Sequence, residues 1–416
     1  VVAESIDARL AAAGLPTLPR RVWLEINEAA LAHNLRAIRD LVGPGVAVNA
    51  VVKADAYGHG LVPVARVFER AGADRLCVAS FDEALALRHS GIAAPILVLF
   101  PIPAAVVALA ARERIEIVAG EGSSTEATLE RWAADSSAAG SPDDLKVHLE
   151  VESGLSRGGL KPEDVPHLAT RIASTPRTRL AGIWSHLATP EREDATRTQI
   201  AAFEQATAAL AAAGLTVPPR HLAATGGLFG AWAPRYEGVR PGLALYGILP
   251  ADFPLGPQAP SLMPAMALKC MPLRVGTFPA GTPVGYGGTW VATRESVIAT
   301  LPVGYGDGWS RASTPGAQAL VRGSRVPLVG TVAMDAVMAD VTDVAGVNMD
   351  DEFVLIGTQG NETITAGDVA RIRNTIPWEV TTSMSHRLPR VYHADSVLLG
   401  IRTLSGEARG PIEAVE

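Results

Sequence analysis

The chain runs to 416 residues, 48% of them hydrophobic and 19% charged, an ordinary globular composition that excludes a disordered polar chain. A formal net charge of −7 with no basic block argues against a nucleic-acid surface, and two cysteines are too few for a disulfide scaffold or a Cys-rich zinc site. The length predicts two or three domains, with room for one large core and a second, smaller one.

In chain order, the first 20 residues read as a short helix or tail. They lack a basic stretch followed by a continuous apolar run, so a cytoplasmic protein is the expectation. Arg21–Ile26 reads as a strand. Short apolar runs then alternate with Ala-rich segments of helical spacing, such as Ser80–His89 and Thr196–Ala213. The runs are Val46–Lys53, Arg75–Ser80, Pro95–Phe100, Ile115–Ala119, Lys146–Val151, Leu180–His186, His221–Ala224 and one near Leu243–Tyr246. Continuous apolar strands separated by helices indicate parallel strands buried on both faces. Their number and spacing predict a (β/α)8 TIM-like barrel, with a doubly wound open sheet as the alternative, because periodicity does not report closure. Gly91–Ala111 has the length of a membrane span, but Pro95, Pro101 and Pro103 interrupt it. A buried strand, a turn and a helix fit better, and no membrane partner is expected.

Beyond about residue 255, Pro and Gly become dense and the Ala-rich helices fade. Met266–Val275, Ser296–Pro302, Gln318–Val321, Pro327–Val332 and Glu352–Ile356 read as strands of a β-rich domain. The expected division is a tail over 1–20, a barrel over 21–255 and a C-terminal β domain over 256–416, with 21–27 free to join the latter.

Lysine is scarce, with only Lys53, Lys146, Lys161 and Lys269 in the chain. Lys53 closes the first strong strand, in AVVKADAYGHG, and barrel function sits at the C-terminal ends of strands. Burial lowers an amine's pKa and suits Schiff-base chemistry. Taken from the residues alone, a strand-end lysine reaching solvent fits equally well.

AVVKADAYGHG resembles the pyridoxal-phosphate lysine motif of the alanine racemase family. The resemblance continues in order through RVWLEINEAALAHNL, SGLSRGG, IWSHLA, VRPGLALYG, VGYGGTW, LPVGYGDGW, GTVAMD and TIPWEV. It implies a barrel that binds pyridoxal 5'-phosphate, a C-terminal β domain, and a head-to-tail homodimer in which each site is completed by the partner. The implied activity is amino-acid racemisation, on alanine, with Lys53 and Tyr286 as proton donor and acceptor on opposite faces of the substrate and Tyr286 supplied by the partner. Tyr57 and Tyr305 match cofactor-pocket and substrate-entry tyrosines. Arg240 matches the arginine facing the pyridine nitrogen; a guanidinium keeps its proton, so that nitrogen stays unprotonated, which limits side reactions. Gly242 and Leu243 match phosphate-contacting backbone positions, Thr225 a hydroxyl contact and His186 a histidine near the ring oxygen. Arg157 matches an arginine that bonds the phenolic oxygen and reaches the substrate carboxylate. Met334 and Asp335 match substrate-side residues from the partner. Taken singly, Tyr286 would also fit a core tyrosine with its hydroxyl at the rim, Arg240 a surface ion pair, and Asp335 a turn residue.

The chain departs from the family at four places. Glu150 stands where many relatives carry a lysine, carbamylated in several of them. It would supply that carboxylate directly and hold Arg157, or else be a solvent-facing strand residue. Ala224 replaces an Asn beside the phosphate-binding hydroxyl. Trp378 replaces a tyrosine that touches phosphate and substrate and is kept here among the cofactor-binding set. Thr331 replaces a gate arginine. Together these imply a reshaped pocket mouth. The alternatives are a broader-specificity or serine-type racemase, a decarboxylase of the same fold type, and a non-catalytic pyridoxal-phosphate carrier. The resemblance implies D-alanine supply for peptidoglycan precursors; secondary metabolism is the other role weighed.

Overall fold

A ring of eight parallel strands forms the centre of the N-terminal half. The computed structural model describes residues 4–120, 123–135, 144–230, 232–249, 255 and 259–410. After β1 (Val22–Asn27) come β2 (Ala47–Val51), β3 (Arg75–Val78), β4 (Ile96–Val98), β5 (Ile115–Ala119), β6 (Leu145–Glu150), β7 (Thr178–Trp184), β8 (Arg220–Ala224) and β9 (Gly238–Arg240). Strands β2 to β9 pair in sequence order and close through Ala47 opposite Gly238 and Val48 opposite Val239. The architecture is therefore a closed barrel and not an open sheet. The continuous apolar runs are buried because helices cover the outside and side chains fill the inside.

The expected strand at Leu243–Tyr246 is a 3-10 helical turn, and the last barrel strand is the shorter β9 upstream of it. A four-residue apolar run fits a buried strand and a buried helical turn alike, and only packing distinguishes them. The run Met266–Val275 divides into β10 (Met266–Cys270) and β11 (Arg274–Phe278), with Pro272 between them.

The second layer is a large, mostly antiparallel sheet from the C-terminal half, and β1 lies inside it. β1 runs antiparallel to β10 and parallel to a strand at Arg390–Ala394. The sheet also holds Val337–Asp340, Val397–Thr403 and Gly406–Arg409, which sequence patterning did not single out. A helix at Ile6–Ala12, capped by the Ser5 hydroxyl, buries Ile6 and Leu10 against Trp23, Val391, Leu398 and Ile401. That part of the first 20 residues is thus a docked helix. One continuous apolar core runs through the barrel and into the sheet. Among the described residues no helix is long and apolar enough to cross a membrane.

Candidate active site

Lys53 stands just beyond β2, at the C-terminal rim of the barrel. The four residues after it, Ala54, Asp55, Ala56 and Tyr57, have φ of 55°, 52°, 53° and 53°. A left-handed turn costs about 1–2 kcal/mol per L-residue, so this one is held by its surroundings. From the barrel side, Glu83 accepts hydrogen bonds from the Ala54 N–H (2.6 Å) and the Ala79 N–H (2.8 Å). Burial, followed by the positive charge of Arg157, holds the Lys53 amine below its ordinary pKa. This raises the neutral, nucleophilic fraction at physiological pH.

Lys53 lines a cavity of about 850 Å³, together with Tyr57, Arg157, His186, Thr225, Arg240, Gly242, Leu243 and Trp378. Every residue assigned to the cofactor on sequence grounds therefore meets in one place. Ala224, one of the family departures, also lines it.

The floor is a directed hydrogen-bond chain inside the barrel. Arg240 in β9 donates to His221 Nδ1 at 2.8 Å. His221 Nε2 lies 3.0 Å from His148 Nδ1, and His148 Nε2 lies 2.9 Å from Glu116. Because a guanidinium only donates, both histidines are neutral with the proton on Nε2, as inferred from the network. Arg75 binds Glu116 at 2.7 Å and Asn49 at 2.8 Å, extending the chain to β2. Burial opposes the Glu116 charge, but His148 and Arg75 hold its pKa at about 2. Arg240 also donates to the carbonyls of His221, Ser185 and Leu222 and lies 4.6 Å over the Trp184 ring. Burial pulls its pKa down to about 10, so it remains a fixed cation at neutral pH.

At the other end of the cavity, Thr225 Oγ1 accepts from the N–H groups of Gly242 (3.1 Å) and Ala244 (3.3 Å), binding the two backbone segments together. A Cβ on Gly242 would lie 2.4 Å from the Tyr57 hydroxyl, so only glycine allows this approach. Arg157 pairs with Glu150 at 3.8 Å, an ion pair beyond hydrogen-bond length. Burial raises the Glu150 carboxyl above its ordinary pKa, with Arg157 opposing. His186 is pulled down to about 3 by burial and by Arg240, so its imidazole is neutral.

Among the described residues, Lys53, Arg157, Arg240 and Arg371 face the cavity with a single carboxylate, Glu191. Such a surplus of positive charge, beside close-packed backbone at Gly242, fits an anionic phosphorylated cofactor.

Tyr286, Tyr305, Met334 and Asp335 do not line this cavity. They sit on adjoining loops of the C-terminal domain, where Tyr305 N–H bonds Ala333 O at 3.1 Å and Gly306 N–H bonds Met334 O at 2.9 Å. Thr331, the third pocket departure, touches Thr289 of the Tyr286 loop at 3.1 Å. Tyr286, Tyr305 and Met334 are 73%, 42% and 52% exposed.

The alanine racemase N-terminal domain model matches residues 26–250 and the C-terminal domain model residues 265–392. The chain belongs to the alanine racemase family. It is 38% identical over 385 residues to an alanine racemase of Symbiobacterium thermophilum, covering 91% of this chain and 98% of that one. It is 39% identical over 380 residues to that of Sorangium cellulosum, covering 88% and 98%. Among solved structures, alanine racemase from Bacillus anthracis with bound L-Ala-P superposes with a TM-score of 0.85 at 30% identity, covering 93% of this chain and 98% of that one. The enzyme from D-cycloserine-producing Streptomyces lavendulae gives 0.82 at 32%, covering 91% and 98%. As a member of the alanine racemase family, the chain is an amino-acid racemase that works with pyridoxal phosphate and a small amino-acid substrate.

Sequence reasoning missed three groups. His148 and Glu116 were legible only as polar residues inside apolar strands, LKVHLEV and IEIVA. Asp55 lay inside the quoted lysine motif without a role. Arg390 and Arg402, which reach Asp55 from the far end of the chain, gave no local signal.

Proposed function

We propose that the chain interconverts L- and D-alanine, with Lys53 of one subunit and Tyr286 of its partner working on opposite faces of the substrate. The observation that carries this reading is the composition of the cavity: one strand-end lysine of lowered pKa and, among the described residues, no lining histidine or tyrosine suited to take a proton. His186 is a weak base because burial and Arg240 hold it low, and burial raises the Tyr57 hydroxyl. The exposure of Tyr286 on its loop supports its working at a second subunit's site. A head-to-tail homodimer would bring that loop over the mouth of the cavity.

Pyridoxal phosphate, once bound, acidifies the Cα–H of an amino acid. Lys53 Nζ moves a proton on one face and Tyr286 Oη on the other. Arg157 orients the substrate carboxylate, steadied by Glu150. Arg240, fixed by the His221–His148–Glu116 chain, would present a guanidinium that keeps its proton to the cofactor ring, leaving a ring nitrogen there unprotonated. Thr225, Gly242, Leu243 and Tyr57 would hold the cofactor's phosphate, with His186 and Trp378 completing the wall of the cavity around it. Tyr305, Met334 and Asp335 of the partner line the substrate entry. The buried free thiols Cys77 and Cys270 suit a reducing compartment, and we place the enzyme in the cytoplasm.

Mixed dimers provide the test. Lys53→Ala and Tyr286→Phe chains should each lose racemisation, on the order of 10²-fold or more for the tyrosine, while Tyr286→Phe still binds cofactor. Random exchange between the two should restore about a quarter of wild-type activity, because a hybrid carries one intact site. No recovery despite demonstrated exchange would place both residues in one chain. A second reading, racemisation of another small amino acid such as serine, is favoured by Trp378 and Ala224, which both line the cavity. A D/L product assay over a panel of amino acids separates the two.

A further inference from the structure

The left-handed turn after Lys53 is built from residue types that do not favour it, apart from Asp55. Its own hydrogen bonds, such as Gly58 N–H to Ala54 O at 3.0 Å, are those of a single turn. Glu83 on the barrel side and the Leu61 N–H restrain it from nearby, and the rest of the restraint comes from over 320 residues later in the chain. The Asp55 carboxylate accepts from Leu61 N–H at 2.8 Å and from both terminal nitrogens of Arg402, at 3.0 and 2.5 Å. Arg390 Nη2 lies 3.8 Å and His386 Nδ1 3.6 Å from the same carboxylate. Arg390 is fully buried and donates twice to Gly58 O, at 3.2 and 3.0 Å. Its other donors go to the carbonyls of Met384, Ser385 and Leu388. The Tyr392 hydroxyl donates to His59 O at 3.2 Å. Gly58, at φ 83°, lies so close to the Pro377–Thr382 helix that a Cβ would meet Thr381 O at 2.1 Å.

From this geometry we propose that the C-terminal domain positions the lysine of its own chain: Asp55, gripped by Arg402 and Arg390, locks the left-handed turn that aims Lys53. The inference rests on Lys53 being the cofactor lysine. Asp55, Arg402 and Arg390 are positioning residues here, since they line no part of the cavity. If the grip is lost, the L-residues of the turn relax toward right-handed backbone and the Lys53 side chain swings off its line. The C-terminal domain then acts twice, in cis on the lysine and in trans through Tyr286.

A simple tie between domains would use the same ion pairs, so the test turns on backbone conformation. Apoenzyme is mixed with pyridoxal phosphate, and the growth of the lysine-bound cofactor's visible absorbance is timed. Hydrogen exchange of segment 54–60 is followed by mass spectrometry in the same samples. Arg402→Ala should slow adduct formation on the order of 10- to 100-fold, the range set by misplacing a reacting group, and speed exchange in that segment. Adding Ala54→Gly should recover most of that rate, because glycine adopts the left-handed region without strain. A tie between domains gives no reason for such rescue. An adduct rate within twofold of wild type for Arg402→Ala, or no recovery in the double variant, overturns the proposal. If Arg402→Ala does not fold, Asp55→Asn, which keeps the shape, carries the same comparison. Borohydride reduction and peptide mapping of the wild-type adduct tests the Lys53 assignment separately.

Discussion

The resemblance puts Glu150 where relatives carry a longer side chain, and its own reach shows in the geometry. The carboxylate stops 3.8 Å from Arg157, so it acts through charge and not through a hydrogen bond. Glu150→Gln should therefore cost only about 1 kcal/mol, a few-fold in kcat/KM, through a looser Arg157. Because burial raises the Glu150 carboxyl, the pair is lost as pH falls through a value above the ordinary carboxylate range. The acid limb of the wild-type pH–rate profile should shift in Glu150→Gln. Activity of the wild type should be indifferent to bicarbonate, and Glu150→Lys should make it bicarbonate-dependent. A kinetically silent Glu150→Gln would return the residue to a bystander's role. Trp378, by contrast, lines the cavity with bulk and no phenolic hydroxyl, and we propose that it bears on substrate size more than on chemistry.

Among the elements, the strand-to-turn junctions at the barrel rim carry the chemistry. The turn after β8 and the turn after β9 are joined by Thr225, and the join works because Gly242 lets Tyr57 approach. Gly242→Ala would drive a methyl group into the Tyr57 hydroxyl, which is buried and packed on Tyr246 at 4.8 Å between ring centroids. The expected outcome is cofactor affinity lowered on the order of 10-fold, with the fold retained, because overpacking typically costs about 1–3 kcal/mol. Equilibrium dialysis against pyridoxal phosphate measures it; unchanged affinity would show that Tyr57 yields at no cost.

For the whole molecule, the barrel interior holds the buried His221–His148–Glu116 chain and the rim turn after Lys53 holds buried His59, and these histidines make stability pH-dependent. Burial pulls His59 down to about 4, and lowers His148 and His221 as well. A histidine with depressed native pKa contributes stability above its unfolded pKa of about 6.5 and loses it as pH falls toward the native value. For His59 alone that is about 3 kcal/mol, lost progressively between pH 6.5 and 4. Glu116, held at about 2, loses its contribution in the same direction from about pH 4.5 downward. Calorimetry of the apoenzyme should therefore show Tm nearly level above pH 7 and falling steadily below 6.5. A level Tm down to pH 4.5 would mean these histidines charge without cost. At this scale we also propose grouping β1 with the C-terminal domain, since it pairs there on both edges.

Most barrel strands, the strand-end lysine and the residues that meet in the cavity were legible in the sequence because each rests on a local pattern. Apolar runs of strand length between helical segments mostly bury as barrel strands, and motifs such as AVVKADAYGHG and VRPGLALYG gather their residues within a short stretch. The Leu243–Tyr246 turn was misread for the same reason, since a short apolar run looks alike in either form. What only the tertiary structure decided involves long separations or side-chain direction. No local feature announces that Arg402 will meet Asp55 across 347 positions, or that His221, His148 and Glu116 will point inward and join. Those contacts exist because closing the barrel and docking the sheet bring distant chain together in a low-dielectric interior. There a charged group survives only with partners, so the partners are set by where the fold places each strand.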